Sequence, residues 1–356
     1  MRLLICAGGT GGGVYPALTV SQALKIDPEN ILWVGSMGGM EESLVKRENI
    51  PFLAIPAAGV HGVSLKRLPG NIMKLFRGFL ASRKILKQFR ADILLFTGGF
   101  VAIPMALAGL STCAFLYTPD IEPGLAIKIL SRFARKIAVT TENSRKYFPN
   151  QEKIIVTGYP IRQDLSKWTK KMGRAYFKIT DNRPVILFMG GSSGARSINN
   201  AVLNILDKLV DQYNVIHITG HLDWEIVNEN TQKFTQSYYA YPYLHEMGAA
   251  LSAADLVISR AGASTLGEYP LFNLPAILVP YPYAWRYQKV NADYLVDHNA
   301  AIMLLDEDLN QTLLPTIENI MNEPEELERM KRAMQALAQP DAAIKIAELI
   351  HELVEV

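Results

Sequence analysis

The chain has 356 residues, of which 49% are hydrophobic and 20% are charged, and its formal net charge at pH 7 is +2. This is the composition of an ordinary globular protein, and the length favours two domains over a single core. No apolar run approaches the ~20 residues that a membrane-spanning helix needs, and no cysteine–histidine cluster has the spacing of a zinc site.

Strand-like runs alternate with helical patterns from the first residues onward. The chain opens on such a run, MRLLIC, so we expect no signal peptide and a cytoplasmic location. Cys6 and Cys113 lie in apolar runs, where we expect reduced, buried thiols rather than a disulfide. In the first half, strands are predicted at 2–6, 30–34, 52–55, 92–96, 114–117, 136–139 and 153–156. Helices are predicted between most of these strands, for example at 16–25, 40–47, 71–89 and 101–109.

The second half repeats this alternation, which predicts an α/β protein with parallel sheets covered by helices on both faces. Gly158 and Pro160, in the segment TGYPIR, mark a hinge between the halves. The stretch 323–356 is typical of two or three helices broken at Pro340. Between these points, strands are predicted at 185–189, 213–217, 255–258, 276–279 and 301–304, and helices at 195–209, 246–252, 264–272 and 287–297.

A glycine-rich turn, Gly8 to Gly13, separates the first strand from the first helix. Glycine lets an anion approach main-chain N–H groups at a helix start, so we interpret the turn as a contact for phosphate or sugar. It is no dinucleotide fingerprint, because the spacing is not G-x-G-x-x-G and the second strand ends at Ser36 without an acidic residue. No Lys-Ser/Thr pair follows, which argues against a Walker loop. A strand–helix turn without ligand is the plain alternative.

Two similar turns occur in the second half. The segment Gly190 to Arg196 suits a diphosphate, with a capped helix as the alternative. In the segment 259–268, Ser264 and Thr265 can bond a phosphate, and Glu268 can accept two ribose hydroxyls unless it is simply a solvated helix residue. Ligands of α/β sheets bind beyond the carboxyl ends of strands, so we expect these turns to gather around an interdomain cleft.

A basic amphipathic helix is predicted within residues 66–90, which contain eight Lys or Arg residues and no Asp or Glu. This pattern is typical of a surface that binds anionic lipid, and an ordinary helix with a basic solvent face is the alternative. Nucleic acid is disfavoured, because no recognisable binding module surrounds the segment. The apolar residues at helical spacing are Ile72, Leu75, Phe76 and Phe79, with Met73 and Leu80 widening the face.

In chain order, the motifs resemble those of the MurG family, the inverting peptidoglycan N-acetylglucosaminyltransferases of GT-B fold in glycosyltransferase family 28. The resemblance covers essentially the whole chain. Its motifs are GGTGG…PAL, GGFV at 98–101, GYPIR, GGSSGARSIN, the SRAGAST…E turn and Gln288-x-x-Asn291-Ala292.

The resemblance implies two Rossmann-like domains. The first, at 1–160, would bind the acceptor and the membrane, with the helix 341–356 packed back on it, and the second, at 161–340, would bind the UDP-sugar. The implied reaction moves GlcNAc from UDP-GlcNAc to undecaprenyl-diphosphate-muramyl-pentapeptide (lipid I), forming lipid II for peptidoglycan and cell wall synthesis. The implied enzyme needs no cofactor and no metal, and acts as a peripheral protein on the cytoplasmic face of the cell membrane.

The resemblance also implies roles for individual positions. Residues 66–90 would touch an anionic membrane surface. The implied substrate contacts are Thr10, Gly11 and Gly12 with phosphate; Arg162 and Ser192 with the UDP diphosphate; Leu244 with uracil; Ala263, Ser264, Thr265, Leu266, Gly267 and Glu268 with phosphate and ribose; and Gln288, with Asn291 beyond it, at the GlcNAc hydroxyls.

Three departures from the family pattern are visible. Gly13 stands where the first loop usually has a histidine, and Tyr287 replaces one of two neighbouring glutamines. The family stretch H-E-x-N reads Tyr117-Thr118-Pro119-Asp120 here. The missing histidine and glutamate are residues usually discussed for acceptor binding or base catalysis. We therefore predict Asp120 as a substrate-binding residue and the catalytic base, with Glu122 as the second catalytic candidate.

Asp306-Glu307-Asp308 matches a D-x-D pattern that some glycosyltransferases use for a metal, but we expect Asp308 to cap a helix and no catalytic metal. The isolated His61, His217 and His245 are expected to be structural.

Three alternative functions stay open. A UDP-GlcNAc 2-epimerase would release UDP-ManNAc without lipid, and a related glycosyltransferase would use another lipid acceptor. A non-catalytic UDP-sugar-binding protein would bind UDP-GlcNAc and form no product. An oxidoreductase is disfavoured, because the acidic residue for ribose is missing after the second strand.

Overall fold

The chain folds into two compact units, each built on one parallel sheet, in a computed structural model that describes residues 1–9, 11–59, 63–64, 66–191, 193–234 and 236–355. The N-terminal unit joins Met1–Arg162 to Pro340–Val356, and the C-terminal unit is Gln163–Gln339. All strand pairs within the two sheets are parallel. The predicted α/β class with two Rossmann-like parallel-sheet domains is confirmed.

The N-terminal unit has a seven-stranded sheet in the order β3-β2-β1-β4-β5-β6-β7. Its strands are β1 (Leu3–Cys6), β2 (Ile31–Ser36), β3 (Phe52–Ile55), β4 (Ile93–Phe96), β5 (Cys113–Thr118), β6 (Lys136–Val139) and β7 (Ile154–Val156). Its first five helices are α1 (Gly11–Ala23), α2 (Glu41–Arg47), α3 (Leu68–Phe89), α4 (Ala102–Ala108) and α5 (Leu125–Leu130). The last helix of the chain, α14 (Ala342–Glu355), packs against α1.

The C-terminal unit has a six-stranded sheet in the order β10-β9-β8-β11-β12-β13. Its strands are β8 (Val185–Met189), β9 (Asn214–Ile218), β10 (Tyr238–Tyr241), β11 (Leu256–Ser259), β12 (Ala276–Leu278) and β13 (Ala301–Met303). Its helices are α6 (Lys170–Tyr176), α7 (Arg196–Gln212), α8 (Trp224–Thr231), α9 (Met247–Ala253), α10 (Thr265–Leu271), α11 (Trp285–Asp297), α12 (Leu309–Asn322) and α13 (Pro324–Ala336).

Burial of apolar side chains on both faces explains why the central strands read as continuous apolar runs. Every residue of β1 and β4 is buried. One face of the N-terminal sheet is covered by residues such as Ile85 of α3 and Met105 of α4. The other face is covered by α1, α2 and α14, with Ile346 in its core. Such two-sided burial is the expected environment of a parallel sheet.

Both sheets reverse strand order beside their first strand, at β1/β4 and at β8/β11. In doubly wound sheets, ligands bind at the carboxyl ends of strands where the order reverses. The glycine-rich segment 8–13, whose last three residues begin α1, follows β1, and Gly98-Gly99 follows β4. The turns at 190–195 and 260–264 likewise follow β8 and β11. Each unit therefore has a candidate site at its own switch point.

The structure corrects several sequence expectations. All the predicted strands occur, but β10 was not predicted, and α6 and α8 were also missed. The first helix begins at Gly11 rather than at residue 16. Both cysteines are free, but Cys113 is only partly buried. Within the described ranges, no helix combines the length and apolarity that crossing a bilayer requires.

Candidate functional site

Two glycine segments of the N-terminal unit pack back to back at its switch point. Gly99 has a φ of +87°, and a Cβ on it would lie 2.7 Å from the carbonyl oxygen of Gly8. The hydroxyl of Thr97 donates to the carbonyl of Gly13 at 2.7 Å. Only glycine allows this approach, so the backbone after β1 is fixed by the backbone after β4. Gly11 and Gly12 are half-buried in the first turn of α1, and Thr10 lies outside the described residues.

The stretch that departs from the family pattern ends β5. Tyr117 is fully buried, its hydroxyl lies 2.9 Å from Thr140 Oγ1, and it donates to the carbonyl of Gly158 at 3.3 Å. Burial raises the pKa of Tyr117, so its phenol stays protonated. Thr118 and Pro119 are buried as well, whereas Asp120 is half-buried. Asp120 is thus the carboxylate of this stretch that reaches the surface of the unit.

The second carboxylate candidate, Glu122, is buried. It is 3% exposed, and its Oε1 lies 3.7 Å from the ammonium nitrogen of Lys128 on α5. A buried carboxylate near a cation is held in place and shielded from solvent. The geometry therefore favours Asp120 over Glu122 for contact with a substrate.

Arg162 is the last residue of the N-terminal unit before the C-terminal unit begins. Its guanidinium carbon lies 4.9 Å from the centroid of the Tyr15 ring on α1. Such a cation–π contact orients a guanidinium while leaving its edge donors for hydrogen bonds. Its predicted contact with the UDP diphosphate stays a prediction.

In the C-terminal unit, the turn after β8 closes tightly on the end of β9. The N–H of Gly194 donates to the carbonyl of Gly191 at 2.8 Å. Gly194 has a φ of +86°, and a Cβ on it would overlap the carbonyl oxygen of Thr219. The residue before α7 is Ala195, which makes no side-chain cap, so the capped-helix alternative for this turn was wrong. Ser192, the predicted diphosphate contact, lies outside the described residues.

A buried polar chain links β9 to the start of α7. The amide nitrogen of Asn199 donates to Thr219 O and to Asp223 Oδ2, both at 2.9 Å. His217 Nε2 therefore donates to Asn199 Oδ1 at 3.0 Å, and Nδ1 accepts from the Tyr238 hydroxyl at 2.8 Å. Asp223 Oδ1 in turn accepts from Arg196 Nε at 2.9 Å. These hydrogen-bonded residues were not recognised in the sequence, because they are isolated polar residues far apart along it.

His217 is a structural histidine, and we expect it to make stability depend on pH. Burial lowers its pKa from 6.5 to about 3. The unfolded chain therefore binds a proton at His217 more readily than the folded protein does. The contribution of neutral His217 to folding stability is complete above pH 6.5 and is lost as the pH falls toward 3. At pH 5 we expect a loss of about 2 kcal/mol. Urea unfolding at pH 7 and pH 5 measures this.

The controls for this prediction are two histidine variants. In His217→Gln the fall in the free energy of unfolding between pH 7 and pH 5 should be smaller than in the parent. His298→Gln, at an exposed position, should show the same fall as the parent. Equal pH slopes in the parent and in His217→Gln would contradict the assignment.

Buried side chains of the C-terminal unit donate hydrogen bonds to the main chain of the turn after β11. Thr265 Oγ1 donates to Gly262 O at 2.7 Å, and Asn291, fully buried, donates through Nδ2 to Ala261 O at 3.1 Å. Ser264 and Glu268 are half-buried and face outward more than their neighbours. The buried members of the predicted set are Ala263, Thr265, Leu266 and Gly267. Their predicted substrate contacts stay predictions.

Arg260 ties this turn to α7 and to the segment after β13. Its guanidinium pairs with Asp306 Oδ1 and donates to Ser197 Oγ at 2.9 Å, and Ser197 Oγ donates to Asp306 at 2.7 Å. Asp306, from the D-x-D pattern, is therefore engaged in an ion pair. Asp308 is the N-cap residue of α12, as expected, but its side chain makes no capping hydrogen bond. In the described part of the chain, no group of three or more His, Cys, Asp or Glu residues is placed to hold a metal ion.

The remaining predicted positions of the C-terminal unit lie at the same edge of its sheet. Gln288, on the first turn of α11, accepts a hydrogen bond at Oε1 from the Tyr281 N–H at 2.8 Å. Leu244, between β10 and α9, is 5% exposed. His245 is exposed and packs edge-on against Tyr243, with ring centroids 4.9 Å apart. His61 lies outside the described residues.

Comparison with protein families gives two matches that together span most of the chain. Residues 3–139 match the glycosyltransferase family 28 N-terminal domain, and residues 185–346 match the glycosyltransferase family 28 C-terminal domain. These matches fall on the N-terminal and the C-terminal sheet respectively.

Curated relatives match along their full length. The chain is 37% identical over 423 aligned residues to the "UDP-N-acetylglucosamine--N-acetylmuramyl-(pentapeptide) pyrophosphoryl-undecaprenol N-acetylglucosamine transferase" of Roseiflexus sp. (strain RS-1), covering 99% of this chain and 95% of the relative. It is also 37% identical to the protein of the same name from Desulforudis audaxviator (strain MP104C), covering 99% and 98%.

Solved structures agree with this assignment of the fold. Acinetobacter baumannii MurG superposes with a TM-score of 0.77 at 27% identity, covering 98% of this chain and 99% of that one. The UDP-GlcNAc 2-epimerase from Neisseria meningitidis superposes with a TM-score of 0.71 at 15% identity, covering 99% and 100%. The second likeness concerns the fold alone.

Proposed function

The chain belongs to glycosyltransferase family 28, and from this premise we propose that it transfers N-acetylglucosamine from UDP-GlcNAc to a polyprenyl-diphosphate-linked muramyl-pentapeptide. The observation that carries the proposal is the full-length match, at 37% identity, to relatives named for this transfer. The arrangement of both switch points supports it, because each unit offers a glycine turn suited to an anionic ligand.

We assign the donor to the C-terminal unit. The outward-facing side chains of the turn after β11, Ser264 and Glu268, suit phosphate and ribose hydroxyls. Gln288 has its Oε1 fixed by the Tyr281 N–H, which orients its amide for the sugar hydroxyls. The Arg260–Asp306–Ser197 contacts hold the turn in place before the ligand arrives. Such preorganisation lowers the ordering entropy that binding costs.

We assign the acceptor to the N-terminal unit, with its diphosphate at the first glycine turn. The acceptor hydroxyl oxygen forms the new bond to the anomeric carbon, while the bond from that carbon to the UDP oxygen breaks. UDP departs with the electron pair, and Asp120 takes the hydroxyl proton. This direct displacement inverts the anomeric centre, and backbone N–H groups with Arg162 stabilise the leaving diphosphate.

Product analysis tests the proposed function. Purified protein is incubated with radiolabelled UDP-GlcNAc, with and without a lipid-linked muramyl-pentapeptide analogue. We expect label in the lipid fraction only when the acceptor is present. Conversion to UDP-ManNAc without lipid would identify an epimerase instead. Binding of UDP-GlcNAc with no product from any polyprenyl acceptor would identify a binding protein.

We also propose that α3 attaches the protein to an anionic membrane surface on the side where UDP-GlcNAc is made. Four apolar side chains of this helix are about half exposed: Ile72 (54%), Met73 (52%), Phe76 (55%) and Leu80 (49%). Gly78, Ser82 and Ile85 are buried and face the unit. Arg77, Arg83 and Lys84 are exposed on the same helix. Apolar side chains bordered by cations suit the boundary between headgroups and acyl chains.

Reversing three of these charges should weaken membrane binding. The variant Arg77→Glu/Arg83→Glu/Lys84→Glu removes attractions worth about 1 kcal/mol each near an anionic surface, so we expect at least about tenfold weaker binding. Sedimentation with vesicles of anionic and of neutral lipid measures it. The control, Arg132→Glu/Lys171→Glu/Lys208→Glu, makes the same change of net charge at exposed positions elsewhere. Equal sedimentation of both triple variants would rule out the membrane role of α3.

A further inference from the structure

Glu41 is a buried carboxylate beneath the first glycine turn. It is 0% exposed, although it is the first residue of α2. Its Oε1 accepts two hydrogen bonds from Ser36, one from the backbone N–H and one from the hydroxyl, both at 2.7 Å. Ser36 ends β2, which pairs with β1. The carboxylate is therefore fixed at the edge of the sheet from which the glycine turn departs.

Three glycines leave the space that this side chain fills. A Cβ on Gly8 would lie 2.6 Å from Glu41 Oε1, and one on Gly35 would lie 2.9 Å from Glu41 Cγ. A Cβ on Gly39 would overlap both carboxylate oxygens. Gly8 also lies close to Gly99, since a Cβ on Gly99 would be 2.7 Å from the Gly8 carbonyl oxygen. The main chain at Gly8 is thus packed against both the Glu41 carboxylate and the backbone that follows β4.

The fold keeps this carboxylate at an energetic disadvantage. Glu41 Oε2 is buried and has no hydrogen-bond partner among the residues that the structure describes. An unsatisfied buried polar atom costs about 1–3 kcal/mol, and more when it is charged. A buried carboxylate that carries this cost and lies next to a candidate site points to a role beyond stability.

We propose that Glu41 is a positioning residue of the acceptor site, whose carboxylate holds the first glycine turn in the conformation that receives the acceptor diphosphate. This inference rests on the proposed function. Glu41 does not touch the substrate; it acts through the main chain of Gly8. A site functions well when its groups are held within about 0.5 Å of their productive positions. A displacement of about 1 Å costs one to two orders of magnitude in activity.

Substitution of Glu41 tests this role. In Glu41→Ala the space under Gly8 is vacated, and we expect the KM for the lipid acceptor to rise at least about tenfold while the KM for UDP-GlcNAc stays within about twofold. Glu41→Gln keeps the volume and an oxygen for Ser36, so its acceptor KM should stay within about threefold of the parent. The side chain of Glu41→Asp is shorter by one methylene, so its acceptor KM should fall between those of Glu41→Gln and Glu41→Ala. This variant replaces Glu41→Ala in the test if Glu41→Ala does not fold.

A matched variant separates positioning from general loss of stability. Val45→Ala removes a fully buried side chain one turn further along α2, and it should lower the unfolding free energy without raising the acceptor KM. An unchanged acceptor KM in both Glu41→Ala and Glu41→Asp would overturn the proposal. So would an equal rise in Val45→Ala, or a rise in Glu41→Gln as large as in Glu41→Ala.

Hydrogen exchange gives a readout that needs no substrate. Amide exchange in the peptide spanning residues 8–14 should accelerate in Glu41→Ala and not in Val45→Ala. If the parent protein transfers no sugar, the proposed function fails while this measurement still decides the role of Glu41. Equal exchange of this peptide in Glu41→Ala and the parent would refute that role.

Discussion

Replacing Asp120 by asparagine should lower kcat roughly 10²–10⁴-fold, the usual contribution of a general base. The amide has almost the same shape, so substrate binding should be kept while the proton acceptor is lost. The expectation follows from the end of β5, where Tyr117, Thr118 and Pro119 are buried and Asp120 is half-buried. Steady-state kinetics with UDP-GlcNAc and a lipid-linked acceptor analogue separate kcat from KM.

Two companion variants make the Asp120 result interpretable. Glu122→Gln, at the buried carboxylate near Lys128, should reduce kcat less than Asp120→Asn does. Asp211→Asn, at an exposed position of α7, should match the parent enzyme. Unchanged turnover in Asp120→Asn would exclude this residue as the base, and a larger loss in Glu122→Gln would transfer that role to Glu122.

Removing the carboxylate of Glu268 should weaken donor binding about 100-fold. A carboxylate that accepts two ribose hydroxyls makes charge-assisted hydrogen bonds worth roughly 1.5 kcal/mol or more each, and a loss of about 3 kcal/mol is about two orders of magnitude in Kd. Glu268 is half-buried on the first turn of α10, and its N–H donates to Ser264 O at 2.8 Å. Titration calorimetry of Glu268→Ala with UDP-GlcNAc measures the change.

If Glu268 binds the ribose hydroxyls, the loss of affinity in Glu268→Ala should depend on whether the ligand has those hydroxyls. A donor analogue with a 2′,3′-dideoxyribose should bind the parent protein and Glu268→Ala almost equally, because it offers no hydroxyl to the carboxylate. Glu229→Ala, at an exposed position of α8, should bind UDP-GlcNAc like the parent. If Glu268→Ala binds UDP-GlcNAc as tightly as the parent, the ribose contact is elsewhere.

The alternation of strands and helices was predictable because two-sided burial makes each central strand an apolar run. The strand β10 escaped prediction because its first residue, Tyr238, is buried but the next three are only half-buried. An edge strand of this kind shows neither a continuous apolar run nor strict alternation. Local sequence alone therefore located the sheets but not their full width.

The start of α1 was missed for a different reason. Gly11, Gly12 and Gly13 have low helix propensity, so the sequence placed them in a turn. In the fold, Val14 and Ala17 of this helix are buried in a core shared with α14, which begins more than 300 residues later. Tertiary packing stabilises a helix that its first three residues disfavour, and a local reading contains no information about that packing.

The candidate site was predictable as positions but not as contacts. Glycine turns after strands, with Glu268 and Gln288 beyond them, were visible in the sequence and in its family resemblance. The ion pair of Arg260 with Asp306 and the burial of Glu41 were not, because they join segments that only the fold brings together. For the segment around Glu41, the sequence predicted only a helix at 40–47.

The anomeric configuration of the product shows whether the proposed transfer takes place. In that transfer, the enzyme moves GlcNAc from UDP-GlcNAc to a lipid-linked muramyl acceptor by one inverting displacement. Proton NMR of the purified product reports the configuration of the new glycosidic bond. We expect a β-linked disaccharide on the lipid from the α-linked donor, formed with release of UDP. An α-linked product, or a lipid acceptor recovered without added sugar, would contradict it.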